Sequence, residues 1–295
     1  MTRQIHRVAF VLIAGYVAIA LAVGYWQVVR GPALASDPAY NAYRLQLDAE
    51  RMPRGRLLDR NGAPLAETRR TIAGLRRVYH EPSLAQTVGY VSQHYGLSGA
   101  EAAFDRFLRG VVRPPLELLA ARLFQRPMPG ADVKLTIDLR IQRAAAAALG
   151  ESPGAVVALD PRTGAVLAIV SSPAFDQKIL DARFGQLANQ PNTPLLNRAT
   201  QGLYPPGSTF KTVTLVAALD QRVATPETTF NCPDSYVIGG FAIKCSPVGR
   251  YNLAHAYAWS CNACFAQLGL QVGPDRLVRY ARAFGFESVP PIEIP

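Results

Sequence analysis

The chain has 295 residues, 49% hydrophobic and 18% charged, a balance that excludes a disordered protein and leaves room for two packed domains. A formal net charge of +10 suits an acidic partner, but the arginines are dispersed, which argues against a nucleic-acid interface. Four lysines (Lys134, Lys178, Lys211 and Lys244) stand against 27 arginines, so the place of each lysine is informative.

Residues 8–29 are 22 consecutive uncharged positions, which at about 1.5 Å per helical residue reach across a bilayer core of about 30 Å. Arg3 and Arg7 precede the run, and Tyr25 and Trp26 close it like interfacial anchors. Residues 1–7 are thus expected in the cytoplasm, 8–29 across the membrane and the body outside; Arg30 weakens this charge asymmetry without reversing it. The alternative is a signal peptide cleaved near Ala33-Leu34-Ala35, and it too exports the body.

A Pro/Ala-rich linker (31–40) and a short helix (39–52) are expected next. In "RGRLLDRNGAPLAET" (54–68), Asn61-Gly62 between apolar Leu57, Leu58 and Leu65 predicts a β-hairpin. "PSLAQTVGYVSQHYG" (82–96) and "GAEAAFDRFLRGVV" (99–112) both read as helices, the second opened by a capping box of Ser98 and Glu101. His80 and His94 are isolated and are assigned no ligand role.

A composition change over 126–135 marks a boundary between a membrane-proximal domain (30–130) and a second domain (131–295). Beyond it the pattern predicts a strand at 133–138, a helix over 139–149 stopped by Gly150, and two strands within 154–172 around Asp160-Pro161-Arg162-Thr163-Gly164. Those two strands are apolar on both faces, so helices are expected to cover both sides.

"YPPGSTFKTV" (204–213) holds one Ser-x-x-Lys, against about 0.16 expected by chance. Pro205, Pro206 and Gly207 stop any preceding element, so a helix is expected to begin at or next to Ser208, whose hydroxyl can also cap it, and places Lys211 one turn along on the same face. A serine hydroxyl needs a base to become a nucleophile, and a partly desolvated lysine can serve as that base. Ser260 and Asn262 form a Ser-x-Asn 52 residues after Ser208 in which hydroxyl and amide can face one cleft; its plain alternative is Asn262 as a helix cap. Cys232, Cys245, Cys261 and Cys264 fall within 33 residues. The first pair is not a tight knuckle and has no histidine beside it, so a disulfide is favoured over a metal site, with Cys232–Cys245 as the preferred pairing and the others open.

Taken together, the apolar anchor, "RGRLLDRNGAPLA", "LTIDLRIQRAAAAAL", "GAVVALDPRTGAVLAIVSSPAFD", "NRATQGLYPPGSTFK" and "SCNACF" resemble the class B penicillin-binding proteins, of the penicillin-binding protein A type. These are monofunctional peptidoglycan D,D-transpeptidases, and Ser-x-x-Lys and Ser-x-Asn are two of their three motifs. The resemblance implies an α/β (α+β) fold: an N-terminal transmembrane helix, a small membrane-proximal domain for dimerisation or support, and a serine transpeptidase, β-lactamase-like domain with helices packed on an antiparallel sheet. It implies that Ser208 forms an acyl-enzyme on a D-Ala-D-Ala stem peptide or a β-lactam, with Lys211 as base. Ser260 would relay the leaving-group proton, Asn262 would hold the peptide amide and the Ser208 N–H would donate to the oxyanion. No cofactor or metal is implied; the implied partners are peptidoglycan stem peptides, β-lactams, a membrane glycosyltransferase and other cell-wall machinery, and no nucleic acid.

The third motif, Lys-Thr/Ser-Gly, is absent: no lysine begins such a triplet, and Arg162-Thr163-Gly164 lies before Ser208 in a turn. The sequence therefore reads as a C-terminally truncated transpeptidase with impaired acylation. Two other readings stay open: a class D-like β-lactamase or β-lactam sensor, which shares Ser-Thr-Phe-Lys, and a non-catalytic scaffold of the cell-wall machinery.

Overall fold

The computed structural model describes residues 2–31, 53–72, 74–92, 94–112, 114, 116, 117, 124, 129–246 and 248–294. The expected linker beyond Gly31 and the expected helix over 39–52 lie outside them. The chain divides into two compact units, Met1–Gly202 with Glu293–Pro295, and Leu203–Ile292.

The first unit begins with α1 (Thr2–Gly24), which continues as a π-helical stretch Tyr25–Arg30. The segment His6–Arg30 has a mean hydropathy of 2.3 and buries none of that surface, as a single membrane anchor requires. Next come β1 (Leu57–Leu58), β2 (Pro64–Thr71) and β3 (Gly74–Tyr79), joined by β6 (Val133–Lys134) in a four-stranded sheet of order β3-β2-β1-β6. The hairpin expected at Asn61-Gly62 is present, with Leu57 opposite Ala66 and Leu58 opposite Pro64. Its turn is organised by Asp59, whose buried carboxylate accepts the N–H groups of Asn61 and Ala63 at 2.8 Å each. Burial opposes ionisation of Asp59, yet the N–H groups of Ala63, Asn61 and Leu139 hold its carboxyl below the usual carboxylate range.

The strand expected at 133–138 shortens to β6, which runs parallel to β1 and so extends the sheet begun at Leu57. The division by compactness falls at Gly202/Leu203.

Residues 82–96 are helical only in part. A 3-10 turn Pro82–Leu84 leads into α2 (Ala85–Val88), and then the chain makes a small hairpin of β4 (Val91–Ser92) and β5 (Gly96–Leu97). Gly89 ends the helix at φ +76°, where an added Cβ would lie 2.0 Å from the Ser98 carbonyl oxygen. The expected capping box is also replaced. Ser98 precedes α3 (Gly99–Ala103) but makes no side-chain cap; its Oγ accepts the N–H of Tyr90 at 3.2 Å. Glu101, fully buried, instead takes Arg54 Nε on one oxygen and Arg77 Nε on the other, each at 2.6 Å. Arg54 also bridges to Asp105 in α4 (Asp105–Leu108) at 2.6 Å. A bidentate carboxylate between two guanidinium groups satisfies a charge that burial alone would forbid.

Helix α5 (Leu139–Leu149) is as expected, capped by Asp138, which accepts the Arg140 N–H, and closed by Gly150 at φ +60°. Strands β7 (Gly154–Leu159) and β8 (Val166–Ser172) form the expected antiparallel hairpin. Coverage differs between the two strands, which corrects the expectation: β8 is buried on both faces over residues 168–172, while Val157 and Leu159, on one face of β7, are 46% and 55% exposed. The buried strand is fixed by Gln142 of α5. Its Nε2 donates to the Ile169 carbonyl and its Oε1 accepts the Ile169 N–H, at 3.1 and 2.8 Å. Helix α6 (Leu180–Ala188) follows, burying Leu180 and Leu187.

The second unit contains a 3-10 turn Gly207–Phe210, α7 (Lys211–Asp220), β9 (Thr229–Cys232), β10 (Ser235–Ile238), β11 (Phe241–Lys244), β12 (Gly249–Asn252), α8 (Leu253–Ala258), α9 (Asn262–Val272) and α10 (Pro274–Ala283). Strands β9 and β12 pair antiparallel, as do β10 and β11. Ala217 and Ala218 of α7 and Ala263 and Cys264 of α9 share one buried core with Phe230, Leu253, Phe265 and Leu268. Small side chains on the two facing helices let their axes approach closely, and each large apolar side chain buried there contributes about 1.5–3 kcal/mol.

Candidate active site

The Ser-x-x-Lys segment starts in a 3-10 turn, with Gly207 at φ +56°, and becomes α-helical at Lys211. Ser208 was expected to cap this helix, and it does not: the turn has no side-chain cap, and Thr209 Oγ1 donates to the Pro206 carbonyl instead. The Ser208 hydroxyl stays exposed and accepts a hydrogen bond from Lys211 Nζ at 2.9 Å. Val213, Thr214, Ala217 and Ala218 bury one side of α7, which fixes the direction in which Lys211 leaves the helix.

Lys211 Nζ also lies within hydrogen-bonding distance of Ser260 Oγ at 2.9 Å, the Ser260 carbonyl at 2.9 Å and Asn262 Oδ1 at 2.5 Å. Four oxygens thus surround one amine. No carboxylate among the described residues pairs with it, and partial burial holds its pKa below the ordinary 10.5. Neutral, this amine has a lone pair that can accept the Ser208 proton.

Ser260 is held in an unusual backbone conformation. It follows α8 at φ +54°, its N–H bonds to the Tyr257 carbonyl at 2.9 Å, and the Cys261 N–H bonds to the Ala256 carbonyl at 2.9 Å. This is a Schellman ending, with serine at the left-handed position that glycine normally fills. A side chain there costs on the order of 1 kcal/mol, and in exchange the Ser260 hydroxyl meets Lys211. Asn262 is the first residue of α9, not its cap, because Cys261 occupies that place without a capping bond. Tyr257 OH meets Thr212 Oγ1 at 2.8 Å and ties α8 to α7 beside the site, a contact with no sequence signature.

The cysteines are paired Cys232–Cys264 and Cys245–Cys261, which corrects the expected Cys232–Cys245 bridge. Cys232 and Cys245 flank the β10–β11 hairpin, but their side chains turn toward Cys264 and Cys261 at the start of α9, with Cα separations of 5.7 and 5.5 Å. Nearness in sequence did not decide the pairing; the packing of β9 and the hairpin end on α9 did. The sulfurs of Cys232, Cys245 and Cys261 lie within 4.8 Å of one another, but with all four thiols consumed in disulfides none is free to ligate a metal.

Comparison with known proteins gives concordant matches. Residues 154–295 match the penicillin-binding protein transpeptidase domain. Over 99% of its length the chain is 35% identical to the peptidoglycan D,D-transpeptidase PbpA of Mycolicibacterium smegmatis. By sequence, residues 154–295 are a penicillin-binding protein transpeptidase domain. The chain spans 64% of the M. smegmatis relative's length. The Escherichia coli peptidoglycan D,D-transpeptidase MrdA is 38% identical over 54% of this chain and 27% of its own. Among solved structures, penicillin-binding protein A from Mycobacterium tuberculosis in its imipenem acyl-enzyme complex superposes with a TM-score of 0.75 at 33% identity, covering 83% of this chain and 62% of that one. A peptidoglycan synthase complex that coordinates polymerisation and crosslinking superposes at 0.67 with 26% identity, over 100% of this chain and 70% of that one. The α/β transpeptidase fold expected from the sequence is the fold these family members share.

Proposed function

We propose that the chain carries the acylating half of a peptidoglycan D,D-transpeptidase site, with Ser208 as nucleophile, Lys211 as general base, Ser260 as proton relay and Asn262 as a substrate clamp. The observation that carries this is the position of one amine, Lys211 Nζ, 2.9 Å from the hydroxyls of both Ser208 and Ser260. The neutral amine takes the Ser208 proton as Oγ attacks the penultimate D-Ala carbonyl of a stem peptide. Ser260, on the far side of the same amine, returns a proton to the departing D-Ala nitrogen as the C–N bond breaks. The acyl ester then passes to the amine of a second stem peptide. Asn262 Oδ1 is engaged by Lys211, which leaves the amide Nδ2 to donate to the bound peptide.

A β-lactam presents an equivalent amide carbonyl, strained by its ring, and leaves a long-lived ester on Ser208, in keeping with the acyl-enzyme complexes of the M. tuberculosis relative. Arg3 and Arg7 before the apolar helix favour a cytoplasmic N-terminus with the chain beyond Arg30 outside, where stem peptides are. Residues 30–130 are the membrane-proximal part of this arrangement and 131–295 its transpeptidase part. A membrane glycosyltransferase is the expected partner, since the synthase complex couples crosslinking to polymerisation.

Prolonged incubation of the chain with penicillin, followed by peptide mass spectrometry, tests the reading. The adduct is expected on the Ser208 peptide and absent from Ser208→Ala. An adduct elsewhere, or none, overturns it.

A further inference from the structure

We infer that the Cys245–Cys261 disulfide is a positioning element of this site, holding Ser260 and Asn262 against the Lys211 amine; the inference rests on the catalytic reading above. Cys261 is the middle residue of Ser260-Cys261-Asn262, and its two neighbours supply three of the four oxygens around Lys211 Nζ. While those neighbours face the amine, Cys261 is buried, and so is Cys245. Ser260 sits in a left-handed conformation that its side chain disfavours, so something must keep the segment from relaxing. Two backbone hydrogen bonds contribute, from Cys261 N–H to the Ala256 carbonyl and from Phe265 N–H to the Cys261 carbonyl. The disulfide adds a covalent tether from Cys261 to the end of β11, in a hairpin that among the described residues joins no other strand.

The second disulfide is a built-in control. Cys232–Cys264 is equally buried and lies in the same core, but it fastens β9 to α9 and neither partner adjoins Ser260. A purely structural role predicts the same consequences for losing either bridge, whereas a positioning role separates them. Because the sulfurs of Cys232, Cys245 and Cys261 lie within 4.8 Å, a single substitution leaves a thiol able to attack the neighbouring disulfide. Both partners of a bridge must therefore be replaced together.

The experiment compares the full chain in detergent micelles with C245A/C261A and C232A/C264A. Two quantities are read: the titration midpoint of Lys211 by NMR of ε-13C-labelled lysine, which needs only four resonances assigned, and the rate of penicillin acylation at Ser208. In C245A/C261A the Lys211 midpoint should rise toward 10.5 as the amine gains solvent. Acylation in that variant should slow by about tenfold. C232A/C264A should keep the wild-type midpoint and a rate within about twofold even if it melts at a lower temperature.

If C245A/C261A fails to fold, C245V/C261V, which refills the sulfur volume, is read in its place. Equal changes in both double variants, or none in C245A/C261A, overturn the inference. Acylation and midpoint unchanged in C245A/C261A would remove the inference and leave the catalytic reading intact. A midpoint that moves only in C245A/C261A, with no adduct even in the wild type, would uphold the positioning and remove the catalytic reading.

Discussion

Lys211 Nζ and Ser260 Oγ lie 2.9 Å apart although 49 residues separate them, and Ser260 reaches that distance only from a left-handed backbone conformation. The hydroxyl and the backbone of this residue are therefore in conflict. Ser260→Gly should remove both at once, stabilising the unit by up to about 1 kcal/mol while slowing acylation by about 100-fold. Thermal melting and penicillin labelling of the same preparation check it, and a variant that loses stability would contradict the strain.

The Lys211 amine supports a pH prediction with a definite sign. Burial holds its pKa below 10.5, so acylation should rise with pH through a midpoint below that value and level off above it. For stability, the unfolded chain binds more protons than the folded one between the two midpoints, so folding becomes more favourable as pH rises across that window. Acylation rates from pH 6 upward locate the midpoint, and Lys211→Arg, which cannot deprotonate, should abolish the limb.

Glu101 tests the polar core of the first unit. Glu101→Gln keeps the shape but removes the charge that Arg54 and Arg77 share, leaving two guanidinium groups short of compensation. The expected loss is about 3–5 kcal/mol, measured by urea unfolding of the chain. A loss under about 1 kcal/mol would mean that water reaches both arginines.

Gly55 is required for a different reason. A Cβ at this position would lie 1.9 Å from the Ala131 carbonyl oxygen, backbone against backbone, where no side chain can yield. Gly55→Ala should force β1 away from β6 and cost more than about 2 kcal/mol, visible as faster hydrogen exchange at Val133 and Leu135, whose N–H groups bond to Arg56 and Leu58.

Much of the local structure is legible in the sequence. Asp138 and Gly150 bracket α5, the Asn61-Gly62 hairpin forms, and Ser208 and Lys211 meet across one helical turn. The capping box of Ser98 and Glu101 shows where such reading fails: the spacing is correct, but Glu101 serves two arginines from 24 and 47 residues upstream. The buried role of Gln142 and the link between Thr212 and Tyr257 are likewise invisible in sequence, because each partner is chosen by packing.

The sequence by itself determined the anchor, the bounds of α5 and the Ser208–Lys211 pair, because these depend on interactions within about four residues or on length and polarity alone. Tertiary structure decided which oxygens share the Lys211 amine, that Ser208 is not a cap, and which cysteines join. Those outcomes depend on how α7, α8 and α9 pack, and no spacing along the chain encodes a distance between segments 49 residues apart.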